Sequence, residues 1–337
     1  MHFDFIARRS WLYSISIGLI LFSFAAPFLL PLRFGIDLTG GTLSEYTYSG
    51  QINIDTVNTT VKDALSSKKE LHINTINAYR IAGVDQFVVE VGYNKWLSDA
   101  DLEKIKTESK WLVTEALKKS FPNENITEPS RYVNIGESFG KHVKERGIWT
   151  LILVILSISC YIAYAFRGTL AGISSFSFGI VTAVSLFHDV IITMGLYLLV
   201  SSFFPEFTID TFFITAILTV LGYSINDTIV VMDRIRSILR ERVKIKKWEN
   251  LHSLINRSVN ETLTRSIYTS ATVIIVLVIL FFFGPETLRG FMLAMIFGAV
   301  VGTYSSIAIA APMLYDIIRS RESEILAYRD PNKSEEF

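Results

Sequence analysis

Apolar and polar positions along the chain form blocks that predict six membrane-spanning helices. The apolar blocks lie near 11–32, 148–166, 169–204, 211–233, 264–283 and 291–318. Crossing the hydrocarbon core of a bilayer takes about 20 residues of α-helix. The block at 169–204 is longer, so we expect its helix to tilt or to include an interfacial portion. The pattern therefore predicts a polytopic α-helical membrane protein.

One long polar segment, residues 34–147, separates the first two apolar blocks. Its pattern predicts strands near 43–48, 71–81, 86–93 and 126–134, with helices near 55–67 and 98–119. The order β-α-β-β-α-β is typical of a ferredoxin-like α+β domain. We find no nucleophile, paired carboxylates or metal cluster in this segment, which favours a binding or mechanical domain over an enzyme. Asp37, Gly40 and Gly41 at its start are interpreted as a hinge, because glycine adopts backbone angles closed to other residues.

The fourth apolar block carries an ionisable residue inside the predicted span. Thr215, Thr219, Tyr223 and Asp227 recur every four residues, so one helix face leads from hydroxyls to a carboxylate. Asn226 precedes the carboxylate directly. A charged group within a membrane is costly, which makes Asp227 a functional-site hypothesis.

The fifth block is too short on its own to cross a bilayer. Only 273–283 is strongly apolar, so we expect its helix to start near Thr264. This start brings Arg265 to the membrane edge, with Tyr268, Thr269 and Thr272 sharing its face. Arg265 is then either a counter-charge for Asp227 or an arginine that snorkels to the interface.

Two further polar or small-residue patterns lie in the third and sixth blocks. His188 and Asp189 form a second intramembrane polar centre, which either handles protons or is structural. Small residues recur every four positions in the sixth block, a pattern typical of close helix packing. These small residues are Gly298, Gly302, Ser306 and Ala310.

Basic residues set the predicted topology. Arg8, Arg9 and Arg167 flank apolar blocks, and the linker 234–264 is the most basic part of the chain. The positive-inside rule then puts both termini in the cytoplasm and the domain 34–147 outside. The predicted division is 1–33 with the first helix, 34–147, a five-helix region 148–318, and a cytoplasmic tail 319–337. The first block exceeds a signal-peptide core and lacks a clear cleavage site, which favours an uncleaved helix over a cleaved leader.

Composition removes several classes of function. The 337 residues are 50% hydrophobic and 19% charged with zero net charge, which does not favour nucleic-acid binding. The single cysteine, Cys160, allows no intrachain disulfide, and the five histidines lack metal-ligand spacing. No phosphate-binding loop of the GxxxxGK[ST] type is present. We therefore expect no cofactor and no metal.

Four segments in chain order carry a resemblance to a known family. They are GIDLTGG at 35–41, GYSINDTIVVMDRIR at 222–236, NETLTRSIYTS at 260–270 and GAVVGTYSSIAIAAPML at 298–314. The chain resembles the SecF family, the smaller half of the SecDF protein-export factor in the RND superfamily. Met232 departs from the family pattern, in which phenylalanine is common, and leaves the polar positions untouched.

The resemblance implies half of an RND unit whose partners are SecD and the SecYEG translocon, with YajC as a further candidate. It also implies exported preproteins as cargo, membrane lipids as surroundings and the bacterial cytoplasmic membrane as location. Members are taken to use proton entry, or sodium entry in some relatives, to drive late steps of export. The positions that match the family's membrane carboxylate and arginine are Asp227 and Arg265.

The residues themselves suggest how such coupling would work. We hypothesise that Asp227 binds the proton and that Arg265 is its counter-charge, with Asn226, Tyr223, Thr219 and Thr269 hydrating or orienting the path. Desolvation disfavours the charged carboxylate and a nearby arginine favours it, so a small change in geometry can move a proton. Two alternatives stay open: an RND-type exporter of lipids or small molecules, and a passive scaffold in which the Asp227–Arg265 pair is structural.

Overall fold

The computed structural model describes residues 3–81, 84–93, 99–167, 174–204, 206–245 and 250–321. Within those ranges, six helices are long and apolar enough to cross a membrane. One small antiparallel sheet lies between the first and the second of them. The predicted fold class, a polytopic helical protein with an inserted α+β domain, is confirmed.

The chain begins with α1 (Arg9–Leu29) and then forms the α+β domain. Its elements are α2 (Ile36–Thr39), β1 (Gly41–Thr47), α3 (Ile54–Ser66), β2 (Ile73–Arg80), β3 (Gln86–Tyr93), α4 (Asp99–Ser120) and β4 (Arg131–Ile135). The strand order is β2-β3-β1-β4, and every neighbouring pair is antiparallel. This order, with α3 and α4 as the two crossovers, is that of the ferredoxin-like fold.

Aromatic residues form the core of the α+β domain. Phe87 is fully buried, and its ring centroid lies 5.4 Å from that of Tyr46 and 5.9 Å from that of Tyr48. Helix α3 closes the core with the buried residues Val57 and Val61, which lie one turn apart. The sheet is therefore held by apolar burial on its helix-covered face.

The spanning helices of the bundle follow the domain. They are α5 (Glu137–Ala165), α6 (Ser175–Phe203), α7 (Thr211–Ile245), α8 (Leu251–Phe283), α9 (Arg289–Ser305) and α10 (Ala311–Ile318). Helix α7 packs along α9, and both contact α6 and α8. A π-helical stretch, Ser306–Ala310, joins α9 to α10, so the sixth span is one interrupted helix.

Several element boundaries differ from the sequence prediction. Helix α8 begins at Leu251 rather than near Thr264, because its first turns bury Leu251, Leu254 and Ile255 and because Asn250 caps it. The Asn250 Oδ1 accepts the Ser253 amide at 2.7 Å. Much of the predicted linker 234–264 is therefore helical.

The inserted domain shows smaller differences from prediction. Strand β4 is shorter than the predicted 126–134, and β2 starts later because Lys69–Leu71 forms a 3₁₀ turn. Strand β3 spans the predicted 86–93. From the sequence, a turn at Gly83 is expected between the two strands and an N-cap at Ser98 for the helix 98–119; both positions lie outside the described residues.

The predicted hinge forms a tight junction between α1 and the sheet. Gly40 has φ of 80°, in the region that favours glycine. A Cβ at Gly41 would lie 2.6 Å from the Val91 carbonyl oxygen, so this position has no room for a side chain. Asp37, in α2, faces the cavity between the domain and the bundle. The glycines therefore permit close packing of α2 against β3 in this structure.

Two backbone contacts fix the domain to the bundle. The Gly35 amide donates to the Ile209 carbonyl at 2.8 Å, and the Ile209 amide donates to the Arg33 carbonyl at 2.8 Å. Glu286, at the start of the last span, accepts the Arg80 amide at 3.0 Å. All three hydrogen bonds lie at the end of the bundle that faces the sheet.

Of the four small residues predicted to share one face of the sixth span, the first two, Gly298 and Gly302, pack against α7. A Cβ at Gly298 would lie 2.1 Å from Val220 Cγ2, and one at Gly302 would lie 2.8 Å from Ser224 Cβ. Ser306 and Ala310 are both buried but lie in the π-helical stretch. Because a π turn holds more residues than an α turn, the four-residue spacing does not keep one face through this region.

Candidate ion-coupling site

Asp227 lies in the middle of α7 and is 4% exposed. Ser270 of α8 donates to its Oδ2 at 3.2 Å. Two longer contacts come from Thr269, at 3.4 Å to Oδ1, and from Thr303 of α9, at 3.5 Å to Oδ2. Three hydroxyls from two neighbouring helices therefore surround one carboxylate.

Ser270 is the central hydroxyl of this cluster. Tyr223, one turn before Asp227 on α7, donates its hydroxyl to Ser270 Oγ at 3.0 Å. Ser270 Oγ is also hydrogen-bonded to Thr303 Oγ1. A continuous hydrogen-bonded chain thus runs from the Tyr223 hydroxyl through Ser270 to Asp227.

Arg265 does not form the ion pair with Asp227 that the sequence suggested. Among the described residues no salt bridge joins the two side chains, and Arg265 is exposed on α8. The reason is helical geometry: Thr269 and Ser270 lie at the depth of Asp227, and Arg265 lies one turn earlier, about 6 Å along the axis.

The remaining predicted residues lie beside the carboxylate rather than on it. The Thr219 hydroxyl donates to the Thr215 carbonyl at 2.8 Å, and both threonines are exposed on α7. Asn226 is exposed as well. The four-residue stripe therefore leads from an open helix face to the edge of the buried cluster.

Ser270 and Thr303 were missing from the sequence prediction. Each lies on a different helix from Asp227, so the periodicity of α7 contains no signal for them. The only sequence signal was their position within two of the segments that carry the family resemblance, NETLTRSIYTS and GAVVGTYSSIAIAAPML.

The second polar centre is fully internal and separate from the first. His188 Nδ1 lies 2.9 Å from Asp189 Oδ1, and the two side chains are 3% and 0% exposed. Ser224 of α7 and Ser305 of α9 both donate to Asp189 Oδ2. The pair is therefore buried inside the bundle and is not solvated at a helix end.

A third acidic region lies outside the spans, in a cavity of about 490 Å³ between the α+β domain and the bundle. Burial raises the pKa of Glu90 to about 7, although the Tyr79 hydroxyl that donates to it at 2.9 Å opposes this shift, while Asp37 and Asp210 add to it. Burial likewise raises the pKa of Asp210 to about 6. Asp210 accepts the Phe213 amide at 2.7 Å and so caps α7.

Among the described residues, no group of three His, Cys, Asp or Glu side chains is placed to hold a metal ion. The carboxylates of Asp227 and Asp189 each accept hydrogen bonds from serine hydroxyls. A hydroxyl can either donate to a carboxylate or accept from a protonated carboxyl group, so these contacts suit both protonation states.

Two family models match the chain. The model described as "Protein export membrane protein SecD/SecF, C-terminal" matches residues 113–320, more than half of the chain. The model described as "SecD/SecF GG Motif" matches residues 26–52, which include Gly40 and Gly41.

Similar curated proteins cover nearly the whole chain. The protein translocase subunit SecF of Rhodothermus marinus is 34% identical over 317 residues, covering 94% of this chain and 93% of the relative. That of Thermobaculum terrenum is 33% identical over 316 residues, covering 92% of each chain.

Solved structures agree with this similarity. The crystal structure of SecDF from Thermus thermophilus, described as a translocon-associated membrane protein, matches with a TM-score of 0.68 and 25% identity over 94% of this chain and 39% of that chain. SecDF in the super-membrane-facing form matches with a TM-score of 0.66 and 25% identity, over 96% of this chain and 40% of that one. The chain thus spans about two fifths of the SecDF chains that it matches. The matched models, the relatives and the shared fold show that this chain belongs to the SecF family of SecD/SecF protein-export membrane proteins.

Proposed function

We propose that this chain is the SecF-type subunit of a protein-export complex and couples the proton motive force to late steps of Sec-dependent export. The observation that carries the proposal is Asp227. It is a buried carboxylate whose hydrogen-bond donors among the described residues are neutral hydroxyls. A transport role driven by an ion gradient requires no catalytic chemistry in this chain.

Because the hydrogen-bond partners of Asp227 are neutral hydroxyl groups, they can stabilise both its charged and its protonated form. A hydroxyl can donate to a carboxylate and can accept from a protonated carboxyl, so Ser270 serves both states. In general, burial disfavours the charged form of a carboxylate and a nearby cation favours it, and Asp227 is a buried carboxylate with Arg265 one turn away on the neighbouring helix. Moving one proton through a potential of 100 mV releases about 2.3 kcal/mol, which is enough to bias a helix rearrangement.

We propose that the partner subunit SecD binds the exposed polar face of α7 and α8. Thr219, Asn226 and, on α8, Tyr268 and Thr272 are exposed beside Asp227. Polar side chains in a bilayer face protein or water rather than lipid. We propose that SecD covers this face and completes the proton path, consistent with the larger length of the matching SecDF chains.

The location and the other partners follow from the same proposal. The protein lies in the bacterial cytoplasmic membrane with both termini in the cytoplasm and the α+β domain, residues 34–147, on the opposite side. There the domain meets exported preproteins as they leave SecYEG, and YajC is a further candidate partner. The basic residues near 234–245 and the family membership support this orientation.

An exporter of lipids is less well supported by the cavities. The cavity between the domain and the bundle has carboxylates in its lining, among them Glu90, Asp210 and Glu206. A lipid-binding site is lined mainly by apolar side chains.

The test is gradient-dependent protein export in membranes that contain the chain with SecD and SecYEG. Asp227→Asn keeps the size and polarity of the side chain and removes the titratable group. We expect the complex to assemble and export to lose its response to the proton gradient. The matched control is Asp233→Asn, on the same helix, because Asp233 is 53% exposed and paired with Arg236.

The proposal fails if Asp227→Asn keeps the gradient response at the level of Asp233→Asn. Because Asp227 and Arg265 form no ion pair, the scaffold alternative leaves the carboxylate only as a hydrogen-bond acceptor for the hydroxyls of α8 and α9. That role tolerates Asp227→Asn, whose amide oxygen is still an acceptor, whereas a proton site does not.

A further inference from the structure

The carboxylate of Asp189 lies where three helices meet. Ser224 of α7 donates to its Oδ2, and Ser305 of α9 donates to the same oxygen at 2.9 Å. Ser185, one turn earlier on α6, donates to Ser305 at 3.2 Å. One side chain with 0% exposure therefore ties α7 and α9 to α6.

His188 extends this network to α1. Its Nε2 lies 3.1 Å from Ser16 Oγ, which lies 3.1 Å from the Tyr304 hydroxyl of α9. Tyr304 donates in turn to the Leu12 carbonyl at 3.0 Å. A buried polar network in which the members are hydrogen-bonded fixes the relative positions of the helices it joins.

The carboxylates of Asp189 and Asp227 are both linked to the same turn of α7 and the same turn of α9. Ser224 and Asp227 lie on one turn of α7, and Thr303 and Ser305 lie on one turn of α9. Thr303 approaches Asp227, whereas Ser224 and Ser305 both donate to Asp189. A rotation of either turn therefore changes the hydrogen bonds of both carboxylates.

The backbones of α7 and α9 are close together at this level. A Cβ at Gly302 would lie 2.8 Å from Ser224 Cβ, so no side chain separates the two helices there. The π-helical stretch begins at Ser306, immediately after Ser305. π-helical turns occur often at functional sites, where they change which side chains face a neighbour.

We propose that Asp189 is a positioning residue for the Asp227 site. Through Ser224 and Ser305, it fixes the rotation of the α7 and α9 turns that present Asp227 and Thr303 to each other. One movement of these turns would therefore affect the hydrogen bonds of both carboxylates. Asp227 lies next to the exposed polar face of α7 and α8, whereas Asp189 is enclosed by the bundle. The consequence for export rests on the proposed function above, and the positioning role does not.

Several other titratable groups surround the two carboxylates. His188 and Tyr304 belong to the Asp189 network, and Tyr223 and Arg265 lie near Asp227. A shift in the titration of Asp227 must therefore be assigned by varying Asp189 and its serine donors while these four groups are kept.

The experiment measures the protonation of Asp227 directly by infrared spectroscopy. The full chain, in complex with SecD in lipid, is titrated with pH, and the carboxyl band that disappears in Asp227→Asn gives the midpoint. The Asp227 band of the Asp189→Asn variant is obtained in the same way, by subtracting the spectrum of the double variant Asp189→Asn with Asp227→Asn. The matched control is Thr193→Val, because Thr193 is on α6, is 0% exposed and has a hydroxyl with no hydrogen-bond partner among the described residues.

We expect the Asp227 midpoint to move by at least about half a pH unit in Asp189→Asn, the size expected when one buried hydrogen bond is lost. Thr193→Val should leave the midpoint in place. Ser224→Ala should shift it in the same direction, and adding Ser224→Ala to Asp189→Asn should give no further shift, since the two act through one contact. If Asp189→Asn prevents assembly, Ser224→Ala decides, because it removes the bond from Ser224 to Asp189 and leaves the carboxylate in place. Ser305→Ala is a second variant, which removes the contacts of Ser305 with both Asp189 and Ser185.

An Asp227 midpoint that is the same in Asp189→Asn, Ser224→Ala and Thr193→Val would overturn the positioning role. Full additivity of Asp189→Asn and Ser224→Ala would overturn the route through Ser224. The failure of the proposed function is distinguishable from both outcomes. In that case, Asp227→Asn keeps gradient-driven export even though the Asp227 midpoint still responds to Asp189.

Discussion

The contact between α7 and α9 can be tested at Gly298, where the structure leaves no room for a methyl group. A Cβ at this position would lie 2.1 Å from Val220 Cγ2, 2.5 Å from Cγ1 and 2.8 Å from Cβ. Carbon atoms pack best at about 3.5–4.0 Å. The helices would therefore have to separate by about 1.5 Å along this line, since valine in a helix has one strongly preferred rotamer and cannot turn away.

Gly298→Ala is expected to destabilise the bundle by about 1–3 kcal/mol, the usual cost of adding a methyl group to a packed core. The thermal unfolding of the purified chain with its SecD partner in detergent, followed by intrinsic fluorescence, measures the effect. Gly18→Ala is the matched control, because a Cβ at Gly18 meets no atom within 4 Å. We expect the control to unfold at the wild-type temperature or slightly above it, since alanine favours helix over glycine.

A second substitution makes the reasoning specific to this contact. Val220→Ala removes the two nearest methyl groups and keeps the Val220 Cβ at 2.8 Å, so Gly298→Ala with Val220→Ala should recover part of the lost stability. If Gly298→Ala unfolds like Gly18→Ala, the close approach of α7 and α9 at this level is refuted. If the single variant is destabilised and Val220→Ala recovers none of the loss, the two Val220 methyl groups are not its cause.

Three further predictions concern the α+β domain and its junction with the bundle. Because burial raises the pKa of Glu90 from 4.5 to about 7, the folded state binds the proton more tightly than the unfolded state, and stability should fall as pH rises through this window. Thermal melts at pH 5 and pH 8 should show a loss that Glu90→Gln reduces, and the remainder is expected from Asp210, whose pKa burial raises to about 6. Glu286→Ala removes the acceptor of the Arg80 amide, so hydrogen exchange of that amide should become faster, while Glu286→Gln should preserve much of its protection. Phe87→Ala in the fully buried core should cost about 3–5 kcal/mol, in contrast to Trp111→Ala, whose side chain is 59% exposed, as chemical denaturation would show.

The sequence predicted the elements of the chain well where one periodicity dominates. Strand β3 spans the predicted residues because alternating apolar positions from Phe87 to Val91 pack against the helix-covered core. The start of α8 was wrong because Leu251, Leu254 and Ile255 are buried by protein beyond the apolar block, and hydropathy does not separate that burial from a soluble loop. Tertiary packing decided the boundary in that case.

The candidate site shows the same division between local and non-local information. Asp227 was selected as a candidate site residue because a carboxylate within an apolar block can be recognised from the sequence alone. Ser270 and Thr303 were not, because serine and threonine are common in helices and their importance comes from where α8 and α9 cross α7. For Arg265 the sequence left open a counter-charge and an arginine at the interface, since sequence gives its depth only to within about a turn.

The chemistry of the site depends on this cross-helix origin. Had Asp227 met Arg265 directly, a buried ion pair would have held the charged form, and removing the charge would have cost several kcal/mol. In the structure each contact to the carboxylate is a single hydroxyl from α8 or α9, and a hydrogen bond to a charged group is worth about 1.5–3 kcal/mol net. The ~2.3 kcal/mol that one proton gains per 100 mV is comparable with one such contact, whereas breaking a buried ion pair costs about 3–5 kcal/mol. If Asp227 carries the proton as proposed, the position of the arginine one turn away keeps the transfer within the energy that a membrane potential supplies.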